Sequence, residues 1–358
     1  MEATGVYWKP IWAVLSDEFG LVLANAMHVK NVPGRKTDTN DAAWLADLLA
    51  HGMIRASFVP PLATQALRDL TRTRKQLARE KVSHAERIDK LLQAANLKLG
   101  SVLSDIMGTS GRAILDALAE GETDPERLAG RVRTRIRVSR AGIVDAIRGR
   151  MADHQRLLLR IHLGQADAID ADIAVIDAEL GDRLEASRDA ATRLTTIPGV
   201  STLSATVILA EVGTDMSRFP SDAHLISWAG LCPRSDESAG KRRSTRLRKG
   251  APWLKTLLVQ TAWCAVRVKG TYLRALFGRL KACRGPRKAI IAAAAAILTA
   301  VYWMLRRGVV YAELGADHFD RTGRLRLARK LDELGFDVTL NHVRRHDGFI
   351  LERCRCAR

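Results

Sequence analysis

A chain of 358 residues with 57 Lys+Arg against 39 Asp+Glu carries a formal net charge of +18. Its apolar share of 47% is enough for real cores in two or three domains of roughly 150 residues each, which excludes wholesale disorder. Such a cationic excess points to a polyanion partner, because Lys and Arg displace counterions from phosphates; acidic lipid or ribosomal RNA would satisfy the same charge.

The five cysteines form no disulfide framework. Cys232, Cys264 and Cys283 are isolated, and Cys354-Arg355-Cys356 is too tight for zinc-knuckle spacing. They read as reduced thiols in a cytoplasmic protein. No leader is expected, since Glu2 follows Met1 at once.

Residues 1–61 mix short strand-like runs with a helix. Leu21 to Ala24 reads as a short buried strand, and Asn31 to Arg35, with Pro33 and Gly34, as a loop. Asp38 to Leu49 reads as a helix with Ala42, Leu45, Leu48 and Leu49 on one face. Gly52 stops it, and Pro60-Pro61 closes the unit. Residues 62–190 read as almost all helix. Leu67, Leu70, Leu77, Ile88, Leu91 and Leu92 make one stripe. A second long pattern, from about Met151 to Ala186, carries Leu157, Ile161, Ile169, Ile173, Ile176 and Leu180 near a heptad spacing, which predicts a coiled coil or antiparallel helix pair. Between them, Gly121 to Ala141 is a connector with short helices. Scaffolding and dimerisation are the plainest role for this region.

From about Thr195 glycine, proline and tryptophan return and basic residues concentrate. Residues 191–310 read as a helical C-terminal domain, and 311–358 as a basic tail with a strand at Phe336 to Leu340. The run Ala289 to Leu305 is apolar apart from Thr299 and flanked by cations at both ends. It falls short of the roughly 20 residues that a membrane span needs, so it reads as a buried helix, with no membrane partner.

Four constellations could carry chemistry. Asp38 and Asp41, three apart at a helix start, can project from one face and repel unless a cation sits between them; Mg²⁺ suits two such carboxylates. Asp is also favoured at any helix N-terminus, and on spacing alone that plainer reading wins. Glu2 says nothing by itself. The turn at Ile197-Pro198-Gly199-Val200-Ser201 opens a helix and offers either a phosphate seat or an ordinary corner. The segment from Gly230 to Gly250 holds Ser238 just ahead of Lys241, Arg242, Arg243, Arg246, Arg248 and Lys249. A serine nucleophile needs activation and a neutralised leaving charge; a basic loop that only grips backbone would look the same.

Together these residues resemble a known family. Glu2-Ala3-Thr4-Gly5-Val6-Tyr7-Trp8, Lys36-Thr37-Asp38 with Asp41-Ala42, Ile197-Pro198-Gly199-Val200, Trp228 to Pro233 with Glu237-Ser238-Ala239-Gly240-Lys241, and Gly250-Ala251-Pro252-Trp253-Leu254 occur in the order seen in the DEDD-type insertion-sequence transposases, also described as bridge-RNA-guided recombinases. The resemblance implies an α/β plus mostly α chain: a partial ribonuclease-H-like (resolvase-like) N-terminal domain, a helical coiled-coil middle and a helical C-terminal transposase domain. Glu2, Asp38 and Asp41 match three of the family's four Mg²⁺-binding acidic residues. Ser238 matches the serine that attacks DNA and forms a covalent phosphoserine. The cations from Lys241 to Lys249, with Gly199, would hold DNA or guide-RNA backbone, and subunits would pair as dimers and tetramers. Base pairing to a structured RNA would supply most of the sequence specificity, as in other RNA-guided systems. The family's first acidic residue lies on an opening strand that has no match here, so the sequence predicts an incomplete sheet, exposed apolar surface and impaired activity. Two other readings stand beside this one: a nucleic-acid-binding remnant without catalysis, and a metal-dependent junction nuclease that uses no serine.

Overall fold

A computed structural model describes residues 1–3, 5–25, 29, 41–54, 56–133, 138–233, 236–238, 240–244, 246–247 and 250–333. The chain forms two compact units, Met1–Gln65 and Ala66–Arg358.

The first unit contains helices α1 (Trp8–Leu15) and α2 (Asp41–Ala50). Three short segments pair beside them. The Ala24 N–H donates to the Met1 carbonyl at 2.7 Å and the Ala3 N–H to the Ala24 carbonyl at 2.8 Å, while the Ser57 N–H donates to the Leu23 carbonyl at 2.6 Å. Glu2 and Ala24 thereby form a parallel bridge, and Ala24 and Ala56 an antiparallel one. A parallel pair needs a crossover, and α1 lies in the connection between the two segments. The strand expected over Leu21 to Ala24 is reduced to the single bridging residue Ala24, and no ribonuclease-H-like sheet is present as a ladder among the described residues. One cause is local: Gly5, at φ +55°, turns the chain into α1 soon after Ala3. The described fold is therefore mostly helical.

Ala24, Val29 and Leu48 form this unit's core, with Trp44, Leu45 and Ile54 packed against it. The inward face of α2 is thus Trp44, Leu45 and Leu48. Ala42 and Leu49, expected on that face, are exposed, because both lie beyond Leu45 on one side of the inward arc. Helix α1 buries none of its residues, and Tyr7, Ile11 and Val14 are exposed.

The second unit takes up most of α3 (Leu62–Ala94), then α4 (Leu99–Val102), α5 (Thr109–Glu120), α6 (Pro125–Ala129), α7 (Arg140–Ala146) and α8 (Asp153–Arg183). Helices α3 and α8 run antiparallel, tied by Arg74 to Asp177 at 2.5 Å and by Lys81 to Asp170 at 2.6 Å. The inward positions of α8 are Leu159, His162, Ala166, Ile169, Ile173, Ile176 and Leu180, all buried or half-buried in alternating steps of three and four. Leu157 and Ile161, expected in this seam, are 52% and 48% exposed. The register set by Leu180 and Ile176 leads back to His162 and Leu159 and leaves those two on the flank.

The short helices close the far end of the pair. Ile88 and Leu92 of α3, Ile114 and Leu115 of α5, Ile143 of α7 and Leu159 of α8 share one core. Outside it, Arg112 clamps α5 to α8 by donating to Asp167 at 2.5 and 2.8 Å and to Asp116 at 2.7 Å. The hydrogen bond to Asp167 holds the guanidinium above its ordinary value, and its return holds Asp167 below the usual carboxylate range.

A 3₁₀ turn at Glu185–Ser187 leads into α9 (Arg188–Leu194), α10 (Thr202–Val212) and α11 (Asp222–Ala229). A hairpin of β1 (Asp236–Ser238) and β2 (Lys241–Ser244) follows, then α12 (Pro252–Ala265), α13 (Tyr272–Arg284), α14 (Pro286–Arg307) and α15 (His318–Glu333). These helices bury one continuous core. Helix α14 runs through it, with Ala289, Ala293, Ala296 and Ala300 fully enclosed; alanine lets neighbouring backbones come close. It is long and apolar enough to cross a membrane by length and composition, yet two-thirds of its apolar window (67%) is buried inside the protein. The buried helix expected over Ala289 to Leu305 is this one. The tail strand at Phe336 to Leu340 and the Cys354-Arg355-Cys356 run lie outside the described residues; Cys232, Cys264 and Cys283 are free.

Within the α3–α8 seam, His84 Nδ1 and His162 Nδ1 are 3.2 Å apart. One must donate and the other accept, so at least one ring is neutral. Burial, then His84 and Arg87, pull His162 below the ordinary histidine range. A folded-state value below the unfolded one means that the unfolded chain binds more protons in that window. Stability is therefore full above the unfolded value of about 6.5 and declines as pH falls through it. Thermal unfolding should shift to lower temperature on acidification from neutrality, and His162→Gln should flatten that slope. A wild-type midpoint that stays constant on acidification would contradict this account.

Candidate active site

Ser238 is the last residue of β1 and lies directly across from Lys241, the first of β2. Glu237 faces Arg242, and Asp236 faces Ser244 across an irregularity between Asp236 and Glu237. Gly240 supplies the turn at φ +72°, a left-handed conformation that glycine adopts without a Cβ penalty. A further antiparallel bridge joins Pro233 to Leu247, so the paired stretch continues below the two strands.

The base of this hairpin is fixed by two glycines. Helix α11 ends at Gly230, at φ +73°, and the Leu231 N–H returns to the Ile226 carbonyl at 3.1 Å, the closing bond of a Schellman-type cap. Gly250 packs onto that cap: a Cβ there would lie 2.5 Å from the Gly230 nitrogen and 2.6 Å from its Cα. The two ends of the segment that carries Ser238 are thus held in backbone contact. Pro252 then opens α12, where a missing N–H costs nothing.

A buried ion cluster supports this platform. Glu211, on α10, is 1% exposed. Arg72 of α3 donates to both its carboxylate oxygens, at 2.8 and 2.9 Å. Arg68, one turn earlier, donates to the Ala210 carbonyl at 3.0 Å and the Glu211 carbonyl at 2.5 Å. Burial lowers the Arg68 pKa from its ordinary value, while Glu211 pulls it back up. Trp253, at the start of α12, lies under the guanidiniums of Arg72 and Arg79, 5.8 and 5.6 Å from its ring centre. Arg72 thus touches both α10 and the helix that follows the hairpin. None of these residues stands out in the sequence alone. The available signal is a lone carboxylate in the apolar run from Ala205 to Val212.

Gly199, at φ +83°, turns the chain between α9 and α10. It packs against α12: a Cβ there would meet the Ala265 nitrogen at 2.5 Å and the Thr261 carbonyl oxygen at 2.9 Å. Ser201 caps α10 by accepting from the Ser204 N–H. One side of the turn is therefore inside the protein.

The candidate cations divide. Lys241 and Arg246 are exposed, Arg242 and Arg243 belong to β2, and Arg248 and Lys249 lie outside the described residues. On the acidic side, Glu2 is half-buried on the segment that bridges to Ala24. Asp41 is the first residue of α2, and Asp38 lies outside the described residues. Among the described residues no group of three or more His, Cys, Asp or Glu is placed to hold a metal.

Two protein-family models match the chain. Residues 1–97 match a DEDD transposase model of the IS110 type, described as Transposase, and residues 191–277 match one described as Transposase IS116/IS110/IS902 family. Glu2, Asp38 and Asp41 fall in the first match, and Gly199 and the whole hairpin in the second. No curated protein matches the chain.

Two outcomes follow from the packing. Arg72→Met leaves the buried Glu211 carboxylate with only Arg68, at 3.7 Å, and should cost about 3 kcal/mol in urea unfolding. Gly250→Ala drives a methyl group into the Gly230 backbone and should cost about 1–3 kcal/mol by the same measurement. Unchanged unfolding midpoints would show that neither interaction holds the platform.

Proposed function

The chain belongs to the IS110-type transposases, and on that premise we propose that it exchanges DNA strands with Ser238 as the nucleophile. The observation that carries the reading is the hairpin. It presents Ser238 next to its turn, opposite Lys241, and from Ser238 to Gly250 the sequence has six Lys and Arg and no carboxylate. A phosphodiester approaching on the Gly250 side of the serine meets six cations, while Asp236 and Glu237 precede the serine on β1 and Glu237 faces Arg242.

The Ser238 oxygen attacks the scissile phosphorus. An O–P bond forms to serine, the bond to the 3′ oxygen breaks, and that oxygen leaves with a proton as a free 3′-OH. The 5′ end stays on the protein as a phosphoserine. A 3′-OH from the exchanged strand then attacks the same phosphorus and releases serine, so that bond energy is conserved and no ATP or hydrolysis is needed. Lys241, Arg242, Arg243, Arg246, Arg248 and Lys249 neutralise the phosphates on either side. At Gly199 the backbone before α10 would contact phosphate from its outward side.

DEDD-type transposase domains are typically metal-dependent. Glu2, Asp38 and Asp41 form an all-carboxylate set, the hard oxygen donors that Mg²⁺ takes, and they would hold it. When bound, Mg²⁺ supplies polarisation of the scissile phosphate. We further propose a structured guide RNA as partner, dimers and tetramers assembled through a coiled coil of α3 and α8, and a cytoplasmic location with the DNA.

Ser238→Ala tests the chemistry. A nicked DNA substrate should trap a covalent protein–DNA adduct with the wild-type chain and none with the variant. Strand cleavage that persists in the variant would identify a hydrolytic nuclease instead. Salt-sensitive binding without an adduct in either protein would identify a binding remnant.

A further inference from the structure

Between Glu237 and Glu313 the sequence has no Asp or Glu, and these 75 positions carry 17 Lys and Arg. That is nearly the whole net charge of +18. Elsewhere in the second unit many cations are answered within the fold: Arg72 by Glu211, Arg74 by Asp177, Lys81 by Asp170 and Arg112 by Asp116 and Asp167. The cations of the carboxylate-free stretch are arranged differently.

Arg267, Arg274, Lys281, Arg284, Arg287 and Lys288 are all exposed, and no ion pair reaches any of them among the described residues. They form a continuous stripe. The Arg274 guanidinium donates to the Arg267 carbonyl at 3.2 Å, which joins the end of α12 to the start of α13. Along α13, Arg274, Gly278 and Lys281 follow at steps of four and three and so share a face. Gly278 has no atom within 4 Å of where a Cβ would stand, so that face is open between the two cations. Arg284 closes α13, Gly285 turns the chain at φ +79°, and Arg287 and Lys288 open α14.

We propose that this stripe is a second DNA-binding surface, separate from the Ser238 hairpin, that grips the phosphate backbone of duplex flanking the exchange point. The proposal rests on the transposase reading only for the choice of DNA. Like charges set together without partners repel one another, and a polyanion removes that repulsion. Arg274 and Lys281 stand about 10 Å apart along the helix, far enough to meet separate phosphates. From Arg267 to Lys288 the chain has no Asn or Gln, so it lacks the amide side chains that read adenine edges. Contacts of its cations with phosphate oxygens position DNA and carry no sequence information.

The test is a full-length chain with Arg274→Gln, Lys281→Gln, Arg284→Gln and Arg287→Gln combined, titrated with a random-sequence DNA duplex at rising salt. Affinity at moderate salt should fall by about tenfold or more, and the slope of log K against log salt should become shallower by about 0.9 for each phosphate that the variant no longer neutralises. A Lys241→Gln, Arg246→Gln chain should keep the stripe's share of that slope. Unchanged duplex affinity and slope in the stripe variant would overturn the proposal. So would a loss confined to single-stranded RNA with duplex binding intact. Should the four substitutions impair folding, exposed Cys283 offers a second measurement. With the other four cysteines replaced by serine, a photo-crosslinker there should capture duplex DNA at low salt and lose it at high salt; no capture overturns the proposal. If Ser238 forms no adduct but the stripe variant still loses duplex affinity, the strand-exchange chemistry fails while this surface stands.

Discussion

The C-terminal platform depends on the placement of one carboxylate. Glu211 sits on α10 with its side chain closed off from water, and Arg72 reaches it with two parallel hydrogen bonds. Desolvating such a charge is expensive unless geometry and additional hydrogen bonds are both good. Here they are, because Arg68 also satisfies two carbonyls at the end of the same helix. The long helix α3 is therefore fixed in rotation as well as position: Arg68 and Arg72, one turn apart, must both face α10. The same rotation places Arg72 and Arg79 over Trp253, the second residue of the helix that leaves the hairpin. A hydrophobic contact of equal area would resist separation but would fix that rotation less sharply.

What the sequence reveals of this fold follows from periodicity. Helices α3 and α8 and the core helix α14 are legible because apolar residues repeat at helical spacing over more than twenty positions. Leu157 and Ile161 fit the same spacing and yet lie outside the seam. In a helix with apolar residues on two adjacent faces, the hydrophobic pattern alone does not choose the buried one. The choice comes from His162 and Ala166, neither strongly apolar, which lie in register with Ile169 and Leu180. The first unit is harder still. Its expected strand amounts to two backbone hydrogen bonds on one edge and one on the other, and such pairing depends on partners distant in sequence.

The hairpin is legible in part. Ser238 and the cations after it mark a basic loop, and the paired strands on either side of Gly240 carry no mark of their own. The contact between Gly230 and Gly250 is not legible, because close approach of two backbones leaves no trace beyond a missing side chain. The Glu211 cluster is hidden for a related reason. One acidic residue in an apolar helix could be a partly exposed edge or a buried ion pair, and only its arginine partners, 139 positions away for Arg72, decide which.

The distribution of charge separates the two tasks of the second unit. Along α3, α5 and α8 arginine and lysine alternate with aspartate and glutamate, and the pairs that form between helices set their alignment. Between Glu237 and Glu313 the carboxylates stop. A cation with no internal partner adds nothing to the alignment of helices and raises the repulsion within its own surface. The fold tolerates this because α12, α13 and α14 are held by their apolar faces: Leu254, Leu258, Leu273, Ile297 and Tyr302 are all enclosed. Packing there holds the helices together, which leaves the outward side chains available for an external polyanion. The Ala-rich interior of α14 and the bare cationic surface around it are thus complementary: close helix packing inside permits an unneutralised exterior.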